Sequence, residues 1–186
     1  REWGKPFLHT PTLNLTRRDK SLKRRLRVGY VSADFRRHSV AYFLEPVFEN
    51  HSKSYFEIFA YANMTGEDEV TQRLKSLADH WCNVFGLNDQ AMAAQVMADK
   101  IDILVDLSGH TRGSRLPAFA IKPAPAQITY LGYPASTGLK QIDYRITDRW
   151  SDPPNFTENF HTETLLRLTD GFLCYRPPDD APDITP

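Results

Sequence analysis

Segments that read as β-strands alternate along this chain with helical segments, and this alternation limits the possible folds more than any other feature. Residues 101–107 are the most strand-like, because their aliphatic side chains form a nearly continuous block, as in a strand covered on both faces. Residues 39–50 place apolar side chains three, four, seven and eight positions apart, on one face of a helix. The order predicts an α/β fold, a Rossmann-like parallel sheet flanked by helices.

The remaining boundaries follow from the same patterns. Ser39 is the expected N-cap of the first helix, and residues 81–85 form a short apolar stretch to which no helix or strand is assigned. Residues 1–25 show no clear period and are predicted to be a linker or wrapping arm, followed by one Rossmann-like half-domain over residues 26–186. The predicted strands are 26–32, 55–61, 101–107, 127–131, 144–147 and 164–168, and the predicted helices are 39–50, 67–79, 88–98 and 115–122.

Charge and composition exclude several classes of protein. The 186 residues hold 23 Lys and Arg against 23 Asp and Glu, so no net charge draws the chain to nucleic acid. The basic run at residues 20–27 is interpreted as a solvated lead-in to the first strand. With no apolar run of membrane-spanning length and no apolar leader, we expect a cytoplasmic protein without a membrane partner. The chain begins with Arg1 rather than methionine, so we expect it to be a piece of a longer protein.

Candidate site residues follow the predicted strands, at the edge of the sheet where α/β proteins bind ligands. His38 stands where the first helix begins, and backbone amides there favour anions. It is a candidate to contact a phosphate or sugar oxygen or to transfer a proton, with a surface histidine as the alternative. Gly109 and Gly113 indicate a turn with positive φ. The glycine motifs of dinucleotide and phosphate sites, the nucleophile elbow and closely spaced metal ligands are absent from the sequence.

Several segments resemble one known family. They are residues 26–35 (LRVGYVSADF) with His38, residues 122–127 (KPAPAQ), residues 131–134 (LGYP) and residues 143–148 (DYRITD). Together they resemble the catalytic region of protein O-GlcNAc transferases and SPINDLY proteins, which form glycosyltransferase family 41. The matches run in order over most of the chain.

The resemblance implies the first half of a GT-B fold, from an inverting, metal-independent enzyme that transfers a sugar from a nucleotide donor to Ser/Thr hydroxyls of proteins. It implies a second half that supplies most nucleotide contacts, upstream tetratricopeptide repeats, no cofactor and no nucleic-acid partner. Residue by residue, His38, the candidate catalytic residue, matches a histidine at the start of the first helix that faces the donor sugar and diphosphate. Leu131 and Gly132 match the donor-sugar pocket. His110 and Thr111 are expected to bind substrate. A eukaryotic member would also be expected in the nucleus.

The donor sugar stays open between two candidates. Ser39 and Val40 after His38, the SGHT segment at 108–111 and the FLCY segment at 172–175 resemble the SPINDLY branch, whose plant members transfer fucose from GDP-fucose. UDP-GlcNAc is preferred as the commoner donor of the family. Two other functions are alternatives: a non-catalytic Rossmann-like interaction domain, and another GT-B enzyme acting on nucleotide sugars, such as an epimerase.

Overall fold

A computed structural model describes residues 4–7, 24–177 and 181–182. Strands and helices alternate along the described chain, as the sequence predicts. The strands are β1 (Leu26–Ser32), β2 (Phe56–Ala62), β3 (His80–Asn83), β4 (Ile103–Asp106), β5 (Ala126–Thr129), β6 (Tyr144–Asp148) and β7 (Thr164–Leu168), and the helices are α1 (Ser39–Asn50), α2 (Glu69–Leu77), α3 (Asp89–Ala98) and α4 (Leu116–Ala120).

All seven strands belong to one parallel sheet in the order β3-β2-β1-β4-β5-β6-β7. In this register Val28 of β1 lies between Ile58 of β2 and Ile103 of β4. The chain builds outward from β1 in one direction, then returns and builds outward from β4 in the other. The predicted Rossmann-like α/β fold is therefore confirmed, and the order reverses between β1 and β4, where such folds open a crevice for ligands.

Helices cover the two faces of the central strands. One buried cluster joins α1 and α2 to the sheet and includes Leu44, Phe48 and Leu74. The other joins α3 and α4 to the opposite face and includes Met92 and Phe119. Strands enclosed in this way are buried on both sides, which explains why the aliphatic block around β4 could be recognised from sequence.

The main addition to the predicted elements is β3, which lies in a stretch to which the sequence analysis assigned no strand. Residues 80–83 pair in parallel with Phe59–Ala62 of β2, the His80 ring stacks on Phe59 with 4.1 Å between ring centroids, and Trp81 packs against Phe35. Only two of the four residues are apolar, so the pattern was too short to predict a strand. Contacts with β2, distant in sequence, determine its conformation.

Of the predicted arm at residues 1–25, only residues 4–7 and 24–25 are among those described. Gly4 is buried and lies against Gly138. A β-carbon on Gly4 would lie only 1.9 Å from the Gly138 carbonyl oxygen, so the contact requires glycine. Phe7 packs against the cluster formed by α3 and α4, and its carbonyl oxygen accepts a hydrogen bond from Gln141 at 3.0 Å. None of the described helices is long and apolar enough to cross a membrane.

Candidate functional site

His38 is itself the N-cap of α1, and the expected cap, Ser39, is the first residue of the helix. His38 has an extended backbone, and its Nδ1 accepts a hydrogen bond from the Val40 amide at 3.3 Å. A ring nitrogen thus replaces the hydroxyl or carboxylate oxygen that usually caps a helix. The histidine fixes the end of the loop after β1, residues 33–38, which we call the β1 loop.

The cap determines which ring nitrogen of His38 faces the ligand crevice. Because Nδ1 accepts from a backbone N–H, its lone pair is in use, and the hydrogen-bond pattern assigns the proton to Nε2. Nε2 lies 3.9 Å from Oδ1 of Asp34, and Arg36 approaches the same oxygen at 3.5 Å. His38 therefore presents an N–H donor on the crevice side.

The crevice is a cleft of about 530 Å³ at the carboxyl ends of the strands, a size typical of small-molecule sites. It lies at the reversal of strand order, with walls from the segments after β1, β2, β4 and β5. Its lining includes two arginines, one carboxylate and the backbone of two glycines. Of the predicted site residues, His38, Thr111 and Gly132 line this cleft, together with Asp34, Arg36, Asn63, Arg112 and Gly113.

The loop after β4, residues 107–113 (the β4 loop), is shaped by a buried carboxylate. Asp106 accepts hydrogen bonds from the amides of Ser108 and Gly109 at 3.1 and 3.0 Å and from the Thr129 hydroxyl at 2.9 Å. Burial raises the pKa of Asp106, and these hydrogen bonds oppose the rise. Gly109 and Gly113 have φ of 53° and 81°, which confirms the predicted glycine turn.

His110 and Thr111 lie side by side in the β4 loop but have different surroundings. Thr111 reaches the cleft wall, and its hydroxyl donates to the Ser108 carbonyl oxygen at 2.8 Å. His110 is not part of the cleft lining. Its Nε2 donates to the carbonyl oxygen of Thr137 at 2.9 Å, and its ring meets the Tyr133 ring edge-on. His110 therefore joins the β4 loop to the loop after β5.

The loop after β5, residues 130–138 (the β5 loop), carries the other two predicted site residues. Gly132 lies on the cleft wall, and a β-carbon there would lie 1.9 Å from the Leu107 carbonyl oxygen, so only glycine fits. Leu131 has a φ of 66°, which is unusual for a residue with a side chain, and that side chain packs against the core beneath α1 and α2. Leu131 thus shapes the backbone beside the cleft without lining it.

Two buried charged residues that hold the β5 loop, Arg145 and Glu163, were not found by the sequence analysis. Arg145 lies within strand β6, where its sequence neighbours Tyr144 and Ile146 are on the other face of the strand. Glu163 directly precedes β7. Nothing in the local sequence distinguishes either residue from a solvent-exposed charge. Only the packing of β6 and β7 against the β5 loop reveals them.

No group of three or more His, Cys, Asp or Glu side chains in residues 4–7, 24–177 and 181–182 is placed to hold a metal ion.

Comparison with known proteins gives consistent results. The model of the family described as Glycosyl transferase family 41 matches residues 5–175. A rice (Oryza sativa subsp. japonica) protein named as a probable UDP-N-acetylglucosamine--peptide N-acetylglucosaminyltransferase SPINDLY is 41% identical over the whole chain. An Arabidopsis thaliana protein with the same enzyme description, named SEC, is 38% identical over 88% of the chain. The chain spans 20% and 16% of these relatives, respectively.

A solved structure gives the same result for the fold. An O-GlcNAc transferase of Thermobaculum terrenum, a lysine-to-methionine mutant, aligns over the whole chain with a TM-score of 0.92 and 41% identity, and the chain covers 36% of it.

Proposed function

Because the chain belongs to glycosyltransferase family 41, we propose that it forms the first half of the catalytic region of a protein O-glycosyltransferase. In this proposal a sugar passes from a nucleotide donor, UDP-GlcNAc, to Ser or Thr hydroxyls of acceptor proteins, with inversion and without a metal. A second half would complete the nucleotide site. The relatives named above as UDP-N-acetylglucosamine--peptide transferases support this choice of donor.

The observation that carries the proposal is the charge pattern of the cleft. Transfer leaves a nucleoside diphosphate with developing negative charge, which must be stabilised where the bond breaks. Arg36 and Arg112 line the cleft, and the first turn of α1 adds backbone amides that favour an anion. A cleft with cationic side chains at the reversal of strand order suits a phosphorylated donor.

Within this proposal, His38 acts as a hydrogen-bond donor. Its Nδ1 lone pair is engaged by the Val40 amide, so accepting a proton there would require loss of the helix cap. The 3.9 Å between Nε2 of His38 and Oδ1 of Asp34 exceeds hydrogen-bond length. The Nε2–H can therefore donate a hydrogen bond to an oxygen of a bound sugar or phosphate. His38 would then orient the donor or stabilise the leaving group.

The deciding experiment distinguishes the role of His38 as helix cap from its proposed contact with the donor in the cleft. Serine is as good an N-cap as any residue, so His38→Ser keeps the cap and removes the Nε2–H donor. We expect this variant to unfold at the same urea concentration as wild type, and to lose about 100-fold in transfer rate. Activity within twofold of wild type would assign His38 to the helix cap alone.

The assay uses the full product of the gene that encodes these residues, with an acceptor protein and mass spectrometry as the readout. We expect the 186-residue chain alone to show no transfer, because the proposal places most nucleotide contacts in a second half. UDP-GlcNAc and GDP-fucose are supplied in separate reactions. Transfer from GDP-fucose alone would replace the donor, and transfer from neither would favour a non-catalytic domain.

A further inference from the structure

The β5 loop has no regular secondary structure, yet a buried cation holds its backbone. Arg145 of β6 is 4% exposed, and its Nη1 donates to the carbonyl oxygens of Tyr133 and Ala135 at 2.9 and 3.1 Å. Asp152 lies on the other side of the guanidinium, 3.6 Å from Nε. The carbonyl groups of Tyr133 and Ala135 are therefore both satisfied by one side chain from a neighbouring strand.

A buried anion holds the next two residues of the same loop. Glu163 is 5% exposed and accepts hydrogen bonds from the Ser136 hydroxyl at 2.8 Å, from the Thr137 amide at 2.7 Å and from the Thr137 hydroxyl. The amide of Thr162 adds a further bond at 3.1 Å. Both carboxylate oxygens are thus engaged, and most of these bonds fix residues 136 and 137.

The hydrogen bonds also account for the ionisation of Glu163. Burial alone would raise the pKa of this carboxyl, but the hydrogen bonds from Thr137 and Ser136 outweigh burial and hold the pKa below its ordinary range. A buried carboxylate is costly unless its oxygens are satisfied. Glu163 meets that condition only when the β5 loop keeps this conformation.

Thr137 links the buried anion to the cleft. Its amide and hydroxyl bind Glu163, while its carbonyl oxygen accepts from His110 of the β4 loop. At the other end of the β5 loop, Gly132 touches the Leu107 carbonyl and forms part of the cleft wall. A change at Glu163 therefore reaches two loops that border the cleft, although Glu163 is not part of the lining.

We propose that Glu163 is a positioning residue for the site, acting through Thr137 and His110 on the β5 and β4 loops. It has no contact with substrate in this scheme. Its role is to hold the Gly132 backbone and the Thr111 side of the cleft at a fixed separation. The catalytic part of this inference rests on the proposed function, whereas the loop-fixing part does not.

The test compares Glu163→Ala and Glu163→Gln with a matched control, Glu158→Gln. Glu158 lies on the same connection between β6 and β7, but its side chain is 46% exposed and pairs with Arg167. In Glu163→Gln, Oε1 can still accept from the Thr137 amide, so this variant should rescue part of the effect. The control should match wild type in every measurement.

The first measurement is amide hydrogen exchange on the protein, which needs no activity. We expect Glu163→Ala to speed exchange in residues 107–113 and 130–138 by about tenfold, as loss of hydrogen bonds to a charged group predicts, with α1 and α2 unchanged. Glu163→Gln should fall between Glu163→Ala and wild type. Exchange that stays at the wild-type level, or that rises equally throughout the sheet, would overturn the positioning role.

The second measurement is steady-state transfer by the full gene product. We expect Glu163→Ala to lower kcat/KM for the donor about tenfold at a temperature where the variant is folded, with partial rescue in Glu163→Gln. Unchanged kcat/KM together with faster loop exchange would overturn the link to the site. Absence of activity in wild type would contradict the proposed function, and the exchange result would still decide the loop-fixing role of Glu163.

Discussion

The β1 loop and the β5 loop both border the cleft, but different parts of the chain hold them. The β1 loop is fixed by elements of the first half of the sheet. The Ser32 hydroxyl accepts from the Asp34 amide and His38 caps α1. Asp68 and Thr71 at the start of α2 bind the Arg37 amide and the Phe35 carbonyl oxygen. The β5 loop is fixed by Arg145 and Glu163, which lie well downstream on or beside other strands. One loop is therefore shaped before the sheet is complete, and the other only when β6 and β7 are in place.

This difference implies different responses to substitution. Replacing His38 in the β1 loop removes a capping contact within one helical turn, so its effect should stay local and small. A change in the β5 loop disturbs buried charges or backbone contacts with the β4 loop. A substitution of similar size should therefore lower the free energy of unfolding by more. The following predictions test this contrast in order of expected effect.

The largest effect is expected from Gly132→Ala. The new β-carbon would lie 1.9 Å from the Leu107 carbonyl oxygen and 2.9 Å from the Ser108 α-carbon, and backbone atoms cannot move aside as a side chain can. We expect the free energy of unfolding to fall by about 4 kcal/mol, at the severe end for single substitutions, as measured by urea denaturation.

Gly66→Ala is the matched control for that prediction. Gly66 has a positive φ, 98°, which Gly132 does not have, but no atom lies within 4 Å of the added carbon. Only the backbone penalty applies, so the loss should be about 1 kcal/mol. Equal losses in the two variants would show that the β5 loop can move away from Leu107.

An intermediate effect, dependent on pH, is expected from Glu163→Gln. The pKa of Glu163 is lowered in the folded protein from its ordinary value of 4.5. Its stabilisation is therefore complete above pH 4.5 and is lost as the pH falls through the lower pKa of the folded state. The variant should be about 2 kcal/mol less stable than wild type at pH 7, and the gap should narrow below pH 4.5.

Thermal unfolding of wild type and Glu163→Gln from pH 7 to pH 3 measures this difference in stability. Asp106 has the opposite shift, because burial raises its pKa, but it is common to both proteins and cancels in the difference. A gap that stays constant from pH 7 to pH 3 would mean that the charge of Glu163 contributes nothing to holding the β5 loop.

The smallest effect is expected from His38→Ala in the β1 loop. Loss of the bond from the Val40 amide to Nδ1 should cost about 1 kcal/mol, the usual value of an N-cap. His38→Ser should restore most of that stability in the same urea titration. If His38→Ala destabilised the protein as much as Gly132→Ala, the contrast between the two loops would fail.

The sequence correctly predicted the helices and strands whose conformation is determined by the residues within them. The strand at residues 26–32, the helix at 39–50 and the strand at 164–168 have the predicted bounds. The first two show a clear period within their own span, and the third is a short run rich in leucine. The convergence of three loops at one sheet edge followed from the parallel topology. His38, Thr111 and Gly132 do meet at the cleft, as expected of residues at strand ends.

The contacts that the sequence did not predict are those between distant segments. β3 is a strand because β2 lies beside it, and Arg145 and Glu163 are buried because the β5 loop covers them. His110 illustrates the same limit, since its neighbour Thr111 lines the cleft while it binds Thr137. The sequence placed both residues in the same loop after a strand, and their different contacts depend on the neighbouring β5 loop.

The strand order has a consequence for how this chain acquires its structure. β1 can pair with β2 after a single helix, but its other partner, β4, is separated from it by two further helices and β3, so closing that loop costs more entropy. Pairing with such sequence separation slows folding. During synthesis, the part built outward from β1 can therefore assemble early, while the cleft, which needs β4 and β5, is among the last features to form.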